Sequence, residues 1–171
     1  MLKEYSTILV VVAVWLLGMA LRIAFARGPD PIPYSALIPL DAENLAEGGV
    51  VDGYEEITSS IHDSCVDWLP MTQAGERTPE YRIMISGKMY YVYGSPVKDD
   101  PWAMAGATLL TVVNNQLEGC PFKVYALSAG NDLGAVRLTD EQFRRAQKYH
   151  KRPYDRPYLP TYDPPEYGFP Q

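Results

Sequence analysis

The stretch DDPWAMAGATLLTVVNNQLEG, Asp99–Gly119, spells out both ends of a helix. Asp100 is a capping residue, Pro101 suits the first helical position, and Gly119 suits the stop. Between them Trp102, Ala105, Gly106, Leu109, Val113 and Leu117 recur at helical spacing as one apolar stripe. A helix with such a stripe must bury it, and a sheet is the natural partner.

The flanking segments supply strands. In YRIMISGKMYYVYG, Tyr81, Ile83 and Ile85 alternate with Arg82 and Met84, and Gly87-Lys88 fits a two-residue turn before Met89–Tyr93 returns. FKVYALSAGNDLGAVRL reads as a second hairpin turning at Ala129–Asp132. LTDEQF then opens a helix running to about His150. Thr139 caps it, Gln142 completes a capping box, and Leu138 with Phe143 forms a hydrophobic staple.

Upstream, VDGYEEITSSIHDSCVDWLP reads as a helix. Asp52 and Glu55 form its capping box, and Tyr54, Ile57, Ile61, Cys65 and Trp68 lie along one face. Pro70 ends it, and Cys65 is expected to point into the core. The expected order is α-β-β-α-β-β-α, an α+β domain with helices on one face of an antiparallel sheet.

Both ends of the chain differ in character. Tyr5–Ala20 is uncharged, and the apolar run continues through Leu21, past Arg22. A bilayer span needs about 20 such residues. Trp15 sits mid-run, and Arg22 can reach the interface from the helix end. Residues 1–27 are therefore expected to form an uncleaved signal-anchor helix. Residues 28–50, which hold Pro29, Pro31, Pro33 and Pro39, are expected to form an extended stem. Residues 51–150 make the α+β globular domain.

Residues 151–171 hold six prolines and four tyrosines. They cannot build a core of their own and suit an extended strip laid on another protein. Tyr154, Tyr158, Tyr162, Pro164, Pro165 and Tyr167 are the candidate partner-binding residues, and Pro164-Pro165-Glu166-Tyr167 matches a P-P-x-Y peptide.

The 171-residue chain has a net charge of −6, which disfavours a nucleic-acid partner. Its basic residues gather late, at Arg144, Arg145, Lys148, Lys151 and Arg152, giving an acidic body with a basic edge. The two cysteines, Cys65 and Cys120, are a candidate disulfide in an exported domain. His62 and Cys65 are too few for a zinc site, and no phosphate loop or nucleophile elbow is present.

No catalytic, cofactor-binding or metal-binding residue is expected, and no small-molecule substrate is evident. The residues point to a non-enzymatic, single-pass accessory subunit of a larger membrane complex. Its partners are expected to be other subunits and the lipid bilayer, with the domain exported from an inner, cytoplasmic-type membrane. The competing reading is a membrane-tethered, immunity-like inhibitor whose acidic body occupies one exported partner.

Overall fold

The helix opened by Asp100 is covered on nearly all sides. In a computed structural model, which describes residues 28–75, 80–94 and 100–160, every residue from Ala103 to Leu110 is buried. A helix that is apolar all round needs more than one partner layer, and here two sheets provide them.

Along the chain, strand β1 is Ile38–Pro39, and helix α1 is Ala42–Asn44. A π-helical turn, Leu45–Gly49, leads into α2, Val50–Ser60. Strands β2 (Met71–Gln73), β3 (Tyr81–Ile85) and β4 (Lys88–Tyr93) follow. Then come α3 (Pro101–Gln116), β5 (Phe122–Leu127), β6 (Gly134–Thr139) and α4 (Asp140–Tyr149). The chain divides into two compact units, Met1–Asp30 and Pro31–Gln171. Every helix and strand among the described residues belongs to the second.

The strands form two antiparallel three-stranded sheets, in the orders β1-β6-β5 and β2-β3-β4. Helix α3 packs against β4 of one and β5 of the other, and also against α2. The larger core joins Leu109, Val112 and Val113 of α3 to Val50 and Ile57 of α2, Ile83 of β3 and Val124 of β5. A smaller core lies on the other face of β1-β6-β5. There Tyr125, Leu127, Val136 and Leu138 meet Ile32 and Ala146, with Leu37 and Phe143 packed alongside.

Local signals set the helix ends. Asp100 Oδ1 accepts from the backbone of Trp102 at 3.0 Å and Ala103 at 3.4 Å. Thr139 and Gln142 form the reciprocal capping box, at 3.2 and 2.9 Å. The β3–β4 turn is Ser86-Gly87, one residue earlier than expected. Both adopt positive φ, 50° and 74°, as a tight hairpin turn of the primed type demands.

The expected architecture needs correction in four places. The single sheet is two sheets, because α3 exposes apolar surface on two sides rather than along one stripe. Trp102, assigned to that stripe, is instead 39% exposed.

The Pro-rich stem is part of the domain. Ile38, Leu40, Leu45 and Val50 are buried core residues, and Ile38 and Pro39 pair with Ala135 and Gly134 of β6. Pro39 is tolerated because β1 is an edge strand.

The helix read over residues 51–69 begins earlier and stops at Ser60. Asp41 caps its first turn, accepting from Glu43 and Asn44, so Asp52 lies inside the helix. Gly48 takes φ 118° in the kink, a conformation open to glycine. The stop comes where Thr58, Ser59 and Ser60 all turn their hydroxyls back onto helix carbonyls. Such bonds compete with helix propagation.

The fold also lacks a demonstrated membrane span. Among the described residues no helix is long and apolar enough to cross a membrane. The segment read as an anchor, with Tyr5, Trp15, Leu21 and Arg22, lies outside the described residues.

Candidate functional site

Strand β5 would be an exposed edge if its outer side were bare, and bare edges invite unwanted pairing. Two devices close it. Asn114, in the last turn of α3, aims its carboxamide at Val124. Its Oδ1 accepts from the Val124 N–H at 2.9 Å, and its Nδ2 donates to the Val124 carbonyl at 2.7 Å. The side-chain amide thus stands in for a neighbouring strand.

Two residues along, Tyr158 pairs with Ala126 in an isolated antiparallel bridge. The Ala126 N–H donates to the Tyr158 carbonyl at 2.8 Å, and the Tyr158 N–H donates back at 2.9 Å.

Residues 151–160 therefore act as a strap. Arg156 donates Nε to the His150 carbonyl at 2.8 Å and Nη2 to the Lys151 carbonyl at 3.2 Å. The Pro157 carbonyl accepts from Gln147 Nε2 at 2.6 Å, and Pro157 is buried. The Tyr158 hydroxyl donates to the Ser128 carbonyl at 2.9 Å, and its ring packs on the larger core. Ser128 itself adopts φ 61°, uncommon for a residue with a side chain. Burial pushes the Tyr158 phenol well above its ordinary pKa.

The β2-β3-β4 sheet contrasts with this. Its inner face carries Met71, Tyr81, Ile83 and Ile85, all buried. Its outer face is a row of Thr72, Met84 and Met89 across the three strands, with Arg82 opposite Tyr91 beside it. Met84 is 39% and Met89 43% exposed. Arg82 lies between, its Nε 3.7 Å from Glu80 and its Nη1 3.8 Å from the Met89 sulfur.

Cys65 and Cys120 are bonded, with Cα atoms 5.6 Å apart. Cys65 is exposed, in the turn beyond α2, and does not point into the core as read from helical spacing. The bond ties the segment leading into β2 to the one leading into β5. A polar clamp holds the same segment. Gln116 Oε1 accepts from the Leu69 N–H at 2.8 Å, and its Nε2 donates to the Tyr54 hydroxyl at 2.9 Å. That hydroxyl donates to the Leu69 carbonyl at 2.6 Å, and the Tyr54 ring meets Trp68 edge-on. Burial raises the Tyr54 pKa, and the Gln116 bond offsets part of the rise.

The remaining sequence candidates divide clearly. Tyr154 is 70% exposed on a turn of the strap, while Tyr158 is seated. Tyr162, Pro164, Pro165 and Tyr167 lie outside the described residues. Among the described residues no group of three or more His, Cys, Asp or Glu side chains could hold a metal ion. A groove of about 300 Å³ beside α2 is lined by Asp41, Asp52 and Glu56 together with Asn44 and Asn131.

Asn114, Gln116, Gln147 and Arg156 went unnoticed in the sequence. The signal for the first two was there: Asn114, Asn115 and Gln116 are consecutive amides at the end of a mostly apolar helix. Among known proteins, no family, no curated protein and no solved structure matches the chain.

Proposed function

We propose that the chain is a non-enzymatic docking subunit of a larger protein assembly, working in an oxidising compartment outside the cytosol. The observation that carries this reading is the outer face of β2-β3-β4, on which Met84 and Met89 are 39% and 43% exposed. Met84 and Met89 stand exposed there as a pair, with Tyr91 in the next row. Methionines adapt their shape to a partner and are over-used at binding surfaces. Tyrosine contributes large contact area at low entropy cost. Arg82 beside them is already paired with Glu80, so the face fits a partner that presents aliphatic side chains.

The disulfide supports the location, since such bonds persist in oxidising compartments and are rare in the cytosol. The same pattern supports an accessory role: the polar groups that do converge, at Asn114 and Gln116, are consumed by backbone of the chain itself.

The test is capture of the assembly from native extracts by the full chain and by Met84→Asp with Met89→Asp. The full chain is expected to hold a fixed set of partners that the double variant loses while keeping its own fold. Equal capture by both sinks the reading. The acidic groove at Asp41, Asp52 and Glu56 favours a second reading, an inhibitor that occupies a basic site on one partner. Under it, Asp52→Lys with Glu56→Lys abolishes capture and the methionine variant does not.

A further inference from the structure

The strap is gripped through three consecutive residues of different chemistry. Arg156 meets the carbonyls of His150 and Lys151 at the C-terminal end of α4, where a cation is favoured. Pro157 is buried and brings no N–H that would need a partner. Tyr158 pairs its backbone with Ala126 and places its hydroxyl on the Ser128 carbonyl. Such a site reads the order Arg-Pro-Tyr: a guanidinium, a ring without a donor, then a phenol on an extended backbone.

The chain carries that order twice. Residues 152–158 are RPYDRPY, so Arg152-Pro153-Tyr154 repeats Arg156-Pro157-Tyr158 four residues earlier. The first copy is presented rather than seated. Arg152 and Pro153 are exposed, and Tyr154 is the most exposed large apolar side chain among the described residues. The first copy sits in a single 3-10 turn, its Arg152 and Pro153 carbonyls accepting from Asp155 and Arg156 at 3.1 and 3.0 Å, and it extends to fill a site that the second copy otherwise occupies.

We infer that the β5 edge, Gln147, Ser128 and the end of α4 form a receptor for Arg-Pro-Tyr segments. The segment it takes in trans is Arg152-Pro153-Tyr154 of a second copy of this chain. Pairing of one residue with Ala126 is a small ladder, and surface segments held by few hydrogen bonds open at low free-energy cost. The resident strap and the incoming segment compete for one site. Binding in trans is therefore weakened by the fraction of time the strap is seated. Association between copies is the readout, and loosening the strap should strengthen it.

The experiment is sedimentation equilibrium on the full chain and on three full-length variants, with far-UV circular dichroism to check folding. Tyr158→Gly vacates the site and is expected to tighten self-association by about tenfold or more. Adding Tyr154→Gly to it removes the ligand and is expected to return the chain to the monomer. Arg156→Ala loosens the strap from its own side, removing the bonds to the His150 and Lys151 carbonyls, and leaves the receptor groups in place. It serves the same purpose if Tyr158→Gly unfolds, and its dimer should likewise vanish with Tyr154→Gly. A folded Tyr158→Gly or Arg156→Ala chain that stays as monomeric as the parent overturns the inference. So does a dimer that survives loss of Tyr154.

Discussion

The two sheets are built from similar material and finished differently. β1-β6-β5 buries apolar residues on both faces, with α3 and the larger core on one side and α4 on the other. Its edges end in Pro39 and in the Asn114–Tyr158 closure. β2-β3-β4 buries one face and leaves Met84, Met89 and Tyr91 on the other. The first sheet is thus consumed by the fold. The second keeps Met84 and Met89 exposed on the face that the proposed docking uses.

The comparison can be broken at the point where the sheets are tied. The Cys65–Cys120 bond closes a loop with a sequence separation of 55 residues. Replacing both with serine is expected to destabilise the domain by about 4 kcal/mol through the freed unfolded chain. Urea unfolding of the two forms checks it. A loss under about 1 kcal/mol would show that the Gln116 clamp alone holds the segment.

The closure of β5 is the next largest effect. Asn114→Leu leaves both backbone groups of Val124 without partners and should cost about 2–3 kcal/mol. The exposed neighbour Asn115→Ala should be near neutral. Hydrogen exchange at the Val124 amide should accelerate in the first and not in the second.

Alkaline pH sharpens the contrast. Burial raises the phenols of Tyr158, Tyr54 and Tyr125, and the Asp140 charge adds to the rise at Tyr125. A raised folded pKa means stability that is complete below the unfolded value of about 10 and lost as pH climbs past it. Tyr158→Phe should cost about 1 kcal/mol at neutral pH, from the lost bond to Ser128. It should also flatten the fall in melting temperature above pH ~10. An unchanged alkaline slope would place the sensitivity at the other two tyrosines.

The smallest effect is a gain. Thr108 is fully buried on α3, and its hydroxyl has no hydrogen-bond partner among the described residues. Thr108→Val keeps the shape and removes the stranded hydroxyl, so stability should rise by about 1 kcal/mol. A loss on thermal melting would mean that the hydroxyl is satisfied after all.

The parts legible in the sequence were those with local causes. Asp100-Pro101, the Thr139/Gln142 box and the alternation of Tyr81, Ile83 and Ile85 each act over a few residues. What escaped was set by partners far along the chain. Ile38 becomes a strand residue only because Ala135 is beside it, and Tyr158 is seated only because Ala126 offers its backbone. The stripe on α3 misled for a related reason. Ala103, Met104, Ala107 and Thr108 are small or adaptable enough to bury beside it, so the helix was apolar all round. The helix drawn through Cys65 followed apolar spacing across Thr58-Ser59-Ser60, where side-chain bonds end it. Of the candidate site, the tail's tyrosines and the cysteine pair were visible. The open sheet face was not, because two sheets were not foreseen.

The central claim is that the outer face of β2-β3-β4 is the docking surface for other proteins and that β1-β6-β5 is closed to them, its β5 edge taking only the chain's own Arg-Pro-Tyr segments. A photo-crosslinking amino acid placed at Met84, and in a second chain at Lys123, exposed on β5, tests it in cells that produce the chain. The account requires one discrete adduct to another protein, of reproducible mass, from position 84 and none to another protein from position 123. Such adducts from both positions alike, or from 123 alone, would contradict it.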